Sequence, residues 1–231
     1  MVKKNLIKIV IDSGTMITFS STCLMNVFKA FVRHNNLELI VSSEVSAESV
    51  WTPITNKRFA LNAARIKHLF NNSVLTIISP TKQIRDLEAN ILNLANNVFS
   101  TSRGPLKILQ RGEAEALALA NLNGAKAMFV DERTTRSLIE SPFRLKQVLE
   151  KRQNQKITMN KKNIEQFQAL FKNLKMFRSV DIIALAYEQK LFEHELDQGK
   201  IELEAALFAT KFAGCAVSEK EIIQYLKLSN K

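Results

Sequence analysis

A chain of 231 residues that is 46% hydrophobic and 24% charged is long enough to bury a real core, which excludes wholesale disorder. Six glycines and four prolines are too few for a loop-rich all-β protein, and the Ala/Leu/Lys/Glu-rich stretches point to a helix-dominated α/β fold. The net charge of +11 biases the surface towards polyanions, nucleic acid before acidic membrane.

Taken in order, residues 6–11 are a β-branched apolar run, the mark of a buried parallel strand. It ends on Asp12-Ser13-Gly14-Thr15, where Ser13 or Thr15 can cap a helix over 16–34. Asn35-Asn36 stop that helix, and residues 37–41 read as a second strand. Ser43 caps a helix that carries Glu44 and Glu48, breaks at Pro53 and runs on towards residue 70. A third β-rich run covers 74–79, Pro80 opens an amphipathic helix over 81–99, and 100–105 reads as a loop. Residues 112–123 form an Ala/Leu-rich helix with Glu113 and Glu115 in its first turn, closed by Gly124. A short apolar strand over 127–130 ends on Asp131-Glu132, and a helix over 134–140 stops at Ser141-Pro142. Residues 143–177 are a basic segment, read as two helices around the polar run 153–163. Ser179 caps a helix over 180–192, Gln198-Gly199 is a turn, and a helix over 201–212 closes with Gly214 at C′. Ser218 to Glu221 are a capping box for the last helix, which ends near residue 228.

Alternating strands and helices imply right-handed crossovers and a mostly parallel sheet, whose working edge is the carboxyl end of its strands. Asp12 and Asp131 each follow a strand directly, so neighbouring strands would carry both carboxylates to one edge. Glu113 begins a helix that feeds the second of those strands, and Glu48 lies on a helix that follows another. Clustered carboxylates repel until a proton or a cation relieves them, and Mg²⁺ and Mn²⁺ prefer such oxygen ligands. Taken singly, each acid has a structural explanation as well: a cap or turn for the aspartates, opposition to the helix dipole for Glu113 and Glu115, plain exposure for Glu48. An acidic cluster on a strongly basic chain suits phosphodiester hydrolysis, with acids holding metal and Lys/Arg holding the polyanion. The stretch 144–178 holds ten Lys/Arg against two acids, a clustering that suits a binding surface. Cys23 and Cys215 are far apart and read as buried free thiols in a reducing cytosol. The three histidines lack zinc-ligand spacing, the basic start reads as a first strand rather than a signal peptide, and no apolar window would span a membrane.

Four stretches resemble the PIN-domain ribonucleases, in particular their archaeal and bacterial toxin-type subgroup. They are residues 9–17 (IVIDSGTMI), 45–48 (VSAE), 112–120 (GEAEALALA) and 129–136 (FVDERTTR), and residues 205–226 are similar to that subgroup's C-terminal helix pair. The resemblance covers about two thirds of the chain. It implies a PIN-like domain over 1–231, with a small mostly parallel sheet flanked by helices and a C-terminal helix pair over 200–231; residues 143–177 depart from it as a basic helical insertion where a short strand is expected. It further implies a cytoplasmic, metal-dependent endoribonuclease whose catalytic and Mg²⁺- or Mn²⁺-binding acids are Asp12, Glu48, Glu113 and Asp131. Glu132 becomes an auxiliary ligand and Glu115 a supporting or alternative one. Arg133 and Arg136 flank the acids and either hold phosphates or pair with Glu132 or Glu140; Lys151, Arg152, Lys161 and Lys162 would make the inserted segment an RNA-holding arm, or else it is a solvated hairpin. Trp51 either stacks on a base or belongs to the core. Ser13-Gly14 departs from the family's Thr-Ser, and Glu132 stands where an aspartate is usual. RNA is the expected partner, with a protein antitoxin and a homodimer as further partners; the alternative is a non-catalytic RNA-binding or protein-interaction module on the same fold.

Overall fold

A computed structural model describes residues 6–228, so the outer ends of the expected N-terminal stretch and C-terminal helix pair, 1–5 and 229–231, lie outside the described residues. Strand β1 (Ile7–Ile11) leads directly into α1 (Ser13–Ser21). Asp12 caps that helix in place of Ser13 or Thr15, its carboxylate accepting from the Gly14 N–H at 3.2 Å. The single helix expected over 16–34 is broken. The N–H and hydroxyl of Thr22 both donate to the Thr18 carbonyl, and the Ser20 and Ser21 hydroxyls donate to Ile17 O. Such local side-chain bonds compete with helix propagation, and a Ser-Ser-Thr run supplies three of them together. The chain resumes as α2 (Met25–His34), which lays Val27, Phe28, Phe31 and Val32 on the core.

Strand β2 (Leu37–Ser42) is followed by α3 (Ser43–Ser46), capped by Ser42 rather than Ser43. This short helix runs straight into a π-helical turn, Ala47–Trp51, in which the Thr52 N–H reaches back to Ala47 O. After a 3-10 turn at Pro53–Thr55 come α4 (Ala60–Asn71), β3 (Leu75–Ile78) and α5 (Lys82–Asn96), the last capped by Thr81. The expected loop over 100–105 is a hairpin of β4 (Phe99–Thr101) and β5 (Gly104–Pro105), too short for period-two patterning to register. Then follow α6 (Arg111–Leu122), β6 (Ala127–Phe129), α7 (Arg133–Glu140), α8 (Pro142–Gln153), β7 (Thr158–Met159), α9 (Lys161–Leu170) and β8 (Lys175–Phe177). The chain closes with α10 (Ser179–Glu188), a 3-10 turn at Phe192–His194, α11 (Lys200–Phe212) and α12 (Glu219–Leu228).

The architecture is α/β, a mostly parallel central sheet flanked by helices. The sheet order is β3-β2-β1-β6-β8, and every pairing in it is parallel. From β1 the chain builds outward through β2 and β3, then returns to the other side of β1 for β6 and β8. The carboxyl ends of β1 and β6 therefore bound the crevice where connections diverge to opposite sides. A second, antiparallel sheet of order β5-β4-β7, absent from the sequence expectation, joins the hairpin to the basic segment. The two helices expected in that segment are α8 and α9, but its last residues, Lys175–Phe177, are the edge strand β8 of the central sheet. Buried apolar side chains from Ile9 in β1 to Ile222 in α12 form one contiguous core.

The C-terminal helices are fastened by Arg178, which is 6% exposed. Its guanidinium donates to Asp181, to Glu221 at 2.8 Å, to Ala216 O and to Tyr225, while the Tyr225 hydroxyl donates to Asp181. Ser218 and Glu221 form the expected capping box on α12. Cys215 is buried as expected; Cys23 is exposed, because it falls in the break between α1 and α2 rather than on a helix face. Among the described residues no helix is long and apolar enough to cross a membrane.

Candidate active site

Three acids from three elements face the carboxyl edge of the sheet, near enough for their charges to interact but not grouped as metal ligands. Asp12 sits one residue beyond β1, with its N–H bonded to Phe129 O at 2.9 Å, which locks it beside the end of β6. Glu48 rides on the π-helical turn, where the Ser13 hydroxyl donates to it at 3.4 Å. Glu113 lies in the first turn of α6, held by the Gln110 N–H at 2.6 Å and the Thr135 hydroxyl at 3.3 Å. Gly112 leaves room for Glu48: a Cβ there would stand 3.3 Å from Glu48 Oε1, and the carboxylate would have to give by a few tenths of an ångström.

The electrostatics of this edge are unrelieved. Asp12 is 8% exposed, and its carboxyl is pushed up to about 7, by burial first and then by the charges of Glu113 and Glu48, against the Gly14 and Ser13 N–H bonds. Burial also raises the Glu113 carboxyl, with Glu132 and Glu48 adding to it. Among the described residues, none of Asp12, Glu48, Glu113 and Glu132 forms an ion pair with a basic side chain. Like charges gathered without a cation raise one another's proton affinity, and a bound divalent ion would reverse that.

Asp131, expected as the fourth ligand, is used differently. It is 3% exposed, and its carboxylate accepts from Thr18 Oγ1, Ser179 N and Ser179 Oγ, each at 2.7 Å. Those bonds tie α1, β6 and α10 together beneath the edge. The buried Cys215 thiol lies against the same carboxylate, and its pKa is raised by burial first and by that charge second. Thr18 and Ser179 escape a reading of the sequence because they lie 113 and 48 residues from the carboxylate they serve. Glu132 caps α7, accepting from the Thr135 N–H at 2.7 Å, so the Asp131-Glu132 pair splits between a buried brace and a helix cap. Among the described residues, no group of three or more His, Cys, Asp or Glu side chains is arranged to hold a metal ion as it stands.

Glu115 is a support. It is 5% exposed and accepts from Ser43 Oγ at 3.1 Å and from the Glu44 N–H at 3.2 Å, anchoring the start of the helix whose π-turn carries Glu48. Glu115→Ala leaves both donors without an acceptor and should cost about 1–3 kcal/mol in urea unfolding. A change below a few tenths would show that water replaces the carboxylate.

The basic segment packs against α5 and α6. Leu170 O, at the end of α9, accepts from Asn121 near the end of α6, and Asn163 Nδ2 and Asn160 N at the start of α9 bond the backbone just beyond α5. Glu88 of α5 pairs with Arg111 at the start of α6, and Asn96 of α5 bonds Ile108 and Leu109. Lys161 and Lys162 are exposed at the start of α9, and Lys151 and Arg152 are exposed in the last turn of α8. Trp51 is not core: it is 49% exposed, with its Nε1 bonded to Ser46 Oγ and Lys67 over its ring. Compared with known proteins, the chain matches no family model, no curated protein and no solved structure.

Proposed function

We propose that this protein is a divalent-metal-dependent endoribonuclease of the PIN type. The observation that carries this reading is the placing of Asp12, Glu48 and Glu113 within reach of one another's charge, without a basic partner, at the crevice of a parallel sheet. Hard oxygen donors of this kind suit Mg²⁺ or Mn²⁺, which are commonly held by one or two carboxylates and completed by water and phosphate oxygens. To hold the ion, Asp12, Glu48 and Glu113 would have to draw closer together than they stand here, with Glu132 near Glu113 as a further acid. Bound there, Mg²⁺ or Mn²⁺ would activate a water and supply counter-charge for displacement at phosphorus.

The chain's own groups orient that chemistry. Ser13 holds Glu48, while Gln110 N–H and Thr135 hold Glu113, so both carboxylates are aimed before substrate arrives. Asp12, whose carboxyl is pushed up to about 7 in the metal-free protein, would release its proton on binding the ion, so metal binding should strengthen as pH rises through that range. The exposed face of Trp51, three residues beyond Glu48, offers a base a stacking surface, and Lys161 and Lys162 offer charge to the strand. One observation favours the second reading, a non-catalytic RNA-binding module: both oxygens of Asp131 are already engaged.

Labelled tRNA, rRNA fragments and single-stranded DNA, each with Mg²⁺, Mn²⁺ or EDTA, separate the two. Metal-dependent cleavage of RNA that falls at least about a hundredfold in Asp12→Asn is the expected result. Salt-sensitive RNA binding with no cleavage under any condition would establish the binding module instead.

A further inference from the structure

A polar pocket opens along α7, the helix that Glu132 caps. It has a volume of about 300 Å³ and lies between α7, α8 and the start of α12. Arg133 and Arg136 of α7 and Arg144 of α8 all line it. The loop before α12 is pinned to the acid edge by the Ala216 N–H, which donates to Asp131 O. Arg133 directly follows Glu132, so the pocket begins where the acid cluster ends.

The arginines are short of partners. Among the described residues, neither Arg133 nor Arg144 makes an ion pair or a side-chain hydrogen bond, and Arg136 Nε is buried with no hydrogen-bond partner. Two acids also line the wall. Glu221 is already matched, by Arg178 at 2.8 Å and by the Ser218 N–H and hydroxyl. Glu140 faces Arg136, and burial raises its carboxyl ahead of any neighbouring charge. One unmatched acid against three guanidiniums leaves the pocket cationic. The hydroxyls of Ser137 and Ser141, which also line it, add neutral donors. Guanidinium forks from two helices, joined by hydroxyl donors, match a group with several terminal oxygens carrying negative charge.

We propose that this pocket binds a phosphate group of an RNA strand, and so fixes the strand's register over the acid edge. The assignment of RNA rests on the ribonuclease reading; the anion site rests on the pocket itself. Two sources share the chemistry, a terminal 5′-phosphate and a backbone phosphodiester.

The test is binding by fluorescence anisotropy in EDTA, so that no cleavage enters the readout. The probes are 5′-phosphorylated and 5′-hydroxyl oligouridylates of one length, with inorganic phosphate as competitor. Arg144→Gln and Arg136→Gln are compared with wild type. Arg144 is exposed, so its replacement leaves the core intact, and urea unfolding confirms the fold of both variants. Each variant should weaken binding about tenfold or more. Each should also lower the slope of log affinity against log salt by about 0.7. Preference for the phosphorylated probe, lost in both variants, identifies the terminal phosphate. Equal affinity for both probes, reduced equally, identifies the backbone. Unchanged affinity and slope in both variants overturns the proposal, as does selective binding of a carboxylate-ended peptide with no response to phosphate. A protein that never cleaves but shows arginine-dependent binding keeps the pocket and loses the nuclease. A protein that cleaves while both variants bind as wild type keeps the nuclease and loses the pocket.

Discussion

Asp131→Ala is expected to lower the unfolding free energy by about 3–5 kcal/mol. The carboxylate is buried at 3% exposure and serves three donors at 2.7 Å, and removing it leaves Thr18 Oγ1, Ser179 N and Ser179 Oγ without an acceptor. A hydrogen bond to a charged group contributes about 1.5–3 kcal/mol, and bonds within one network do not add fully. Against a total stability of about 5–15 kcal/mol, such a loss can prevent folding, so the milder Asp131→Asn is the working variant. It keeps the shape and one acceptor oxygen, and should cost about 1–3 kcal/mol in urea unfolding. Asp12→Asn supplies the contrast: it removes a charge that burial and two neighbouring glutamates disfavour, and should leave stability at neutral pH unchanged or higher. Equal destabilisation by the two asparagine variants would refute the division of labour between brace and site. Loss of cleavage in Asp131→Asn at unaltered stability would restore Asp131 to the ligand set that the PIN resemblance implies.

The second large effect is the pH dependence of the metal-free protein. An aspartate whose carboxyl is raised to about 7 binds its proton more tightly in the folded state than in the unfolded chain. Its contribution to stability is therefore complete below about pH 4, the ordinary aspartate range, and is lost as pH rises through about 7. Over that interval the linkage amounts to roughly 4 kcal/mol, because each tenfold gain in proton affinity is worth about 1.4 kcal/mol. Carboxylates such as Glu221, held down to about 2 by Ser218 and Arg178 against its burial, act in the opposite sense at lower pH. The difference between wild type and Asp12→Asn in EDTA isolates the Asp12 part. That difference should grow from pH 4 to pH 7 in favour of the variant. Millimolar Mg²⁺ should then stabilise wild type at pH 7 and leave Asp12→Asn unmoved, since a ligand raises stability only through a site it occupies. A flat difference across this range would mean that Asp12 is solvated and the acid edge open.

Much of this arrangement is written in local signals. The β-branched runs that became β1 and β2 end in buried stretches, Ile9–Ile11 and Leu39–Ser42, where composition and burial agree; β3, at the sheet edge, buries only Leu75. Gly124 and Gly214 end their helices with φ of 62° and 121°, conformations that favour glycine. The break at Thr22 was hidden, because Ile17, Leu24, Phe28 and Phe31 keep a helical spacing across it while the competing hydroxyl bonds leave no periodic trace; Ile17 is exposed in the structure. Strands β4, β5, β7 and β8 have three residues at most, below the length at which alternation can be told from chance. At the site, Asp12, Glu48 and Glu113 were readable as acids at the ends of elements. The fate of Asp131 was not. Its place at the end of a strand is a local property, but the direction in which its carboxylate turns is decided by distant Thr18 and Ser179.

The π-helical turn at Ala47–Trp51 has a consequence for how such a site can be lost. Each residue of a helix advances the side-chain direction by about 100°. In a chain one codon shorter between Ser46 and Glu48, the same glutamate would occupy the place of Ala47 and point away from Asp12 and Gly112. Every acid would still be present in the translated chain, and a motif search would find nothing missing. At this edge the number of residues between the acids matters as much as their identity, and deletions threaten the chemistry as directly as substitutions do.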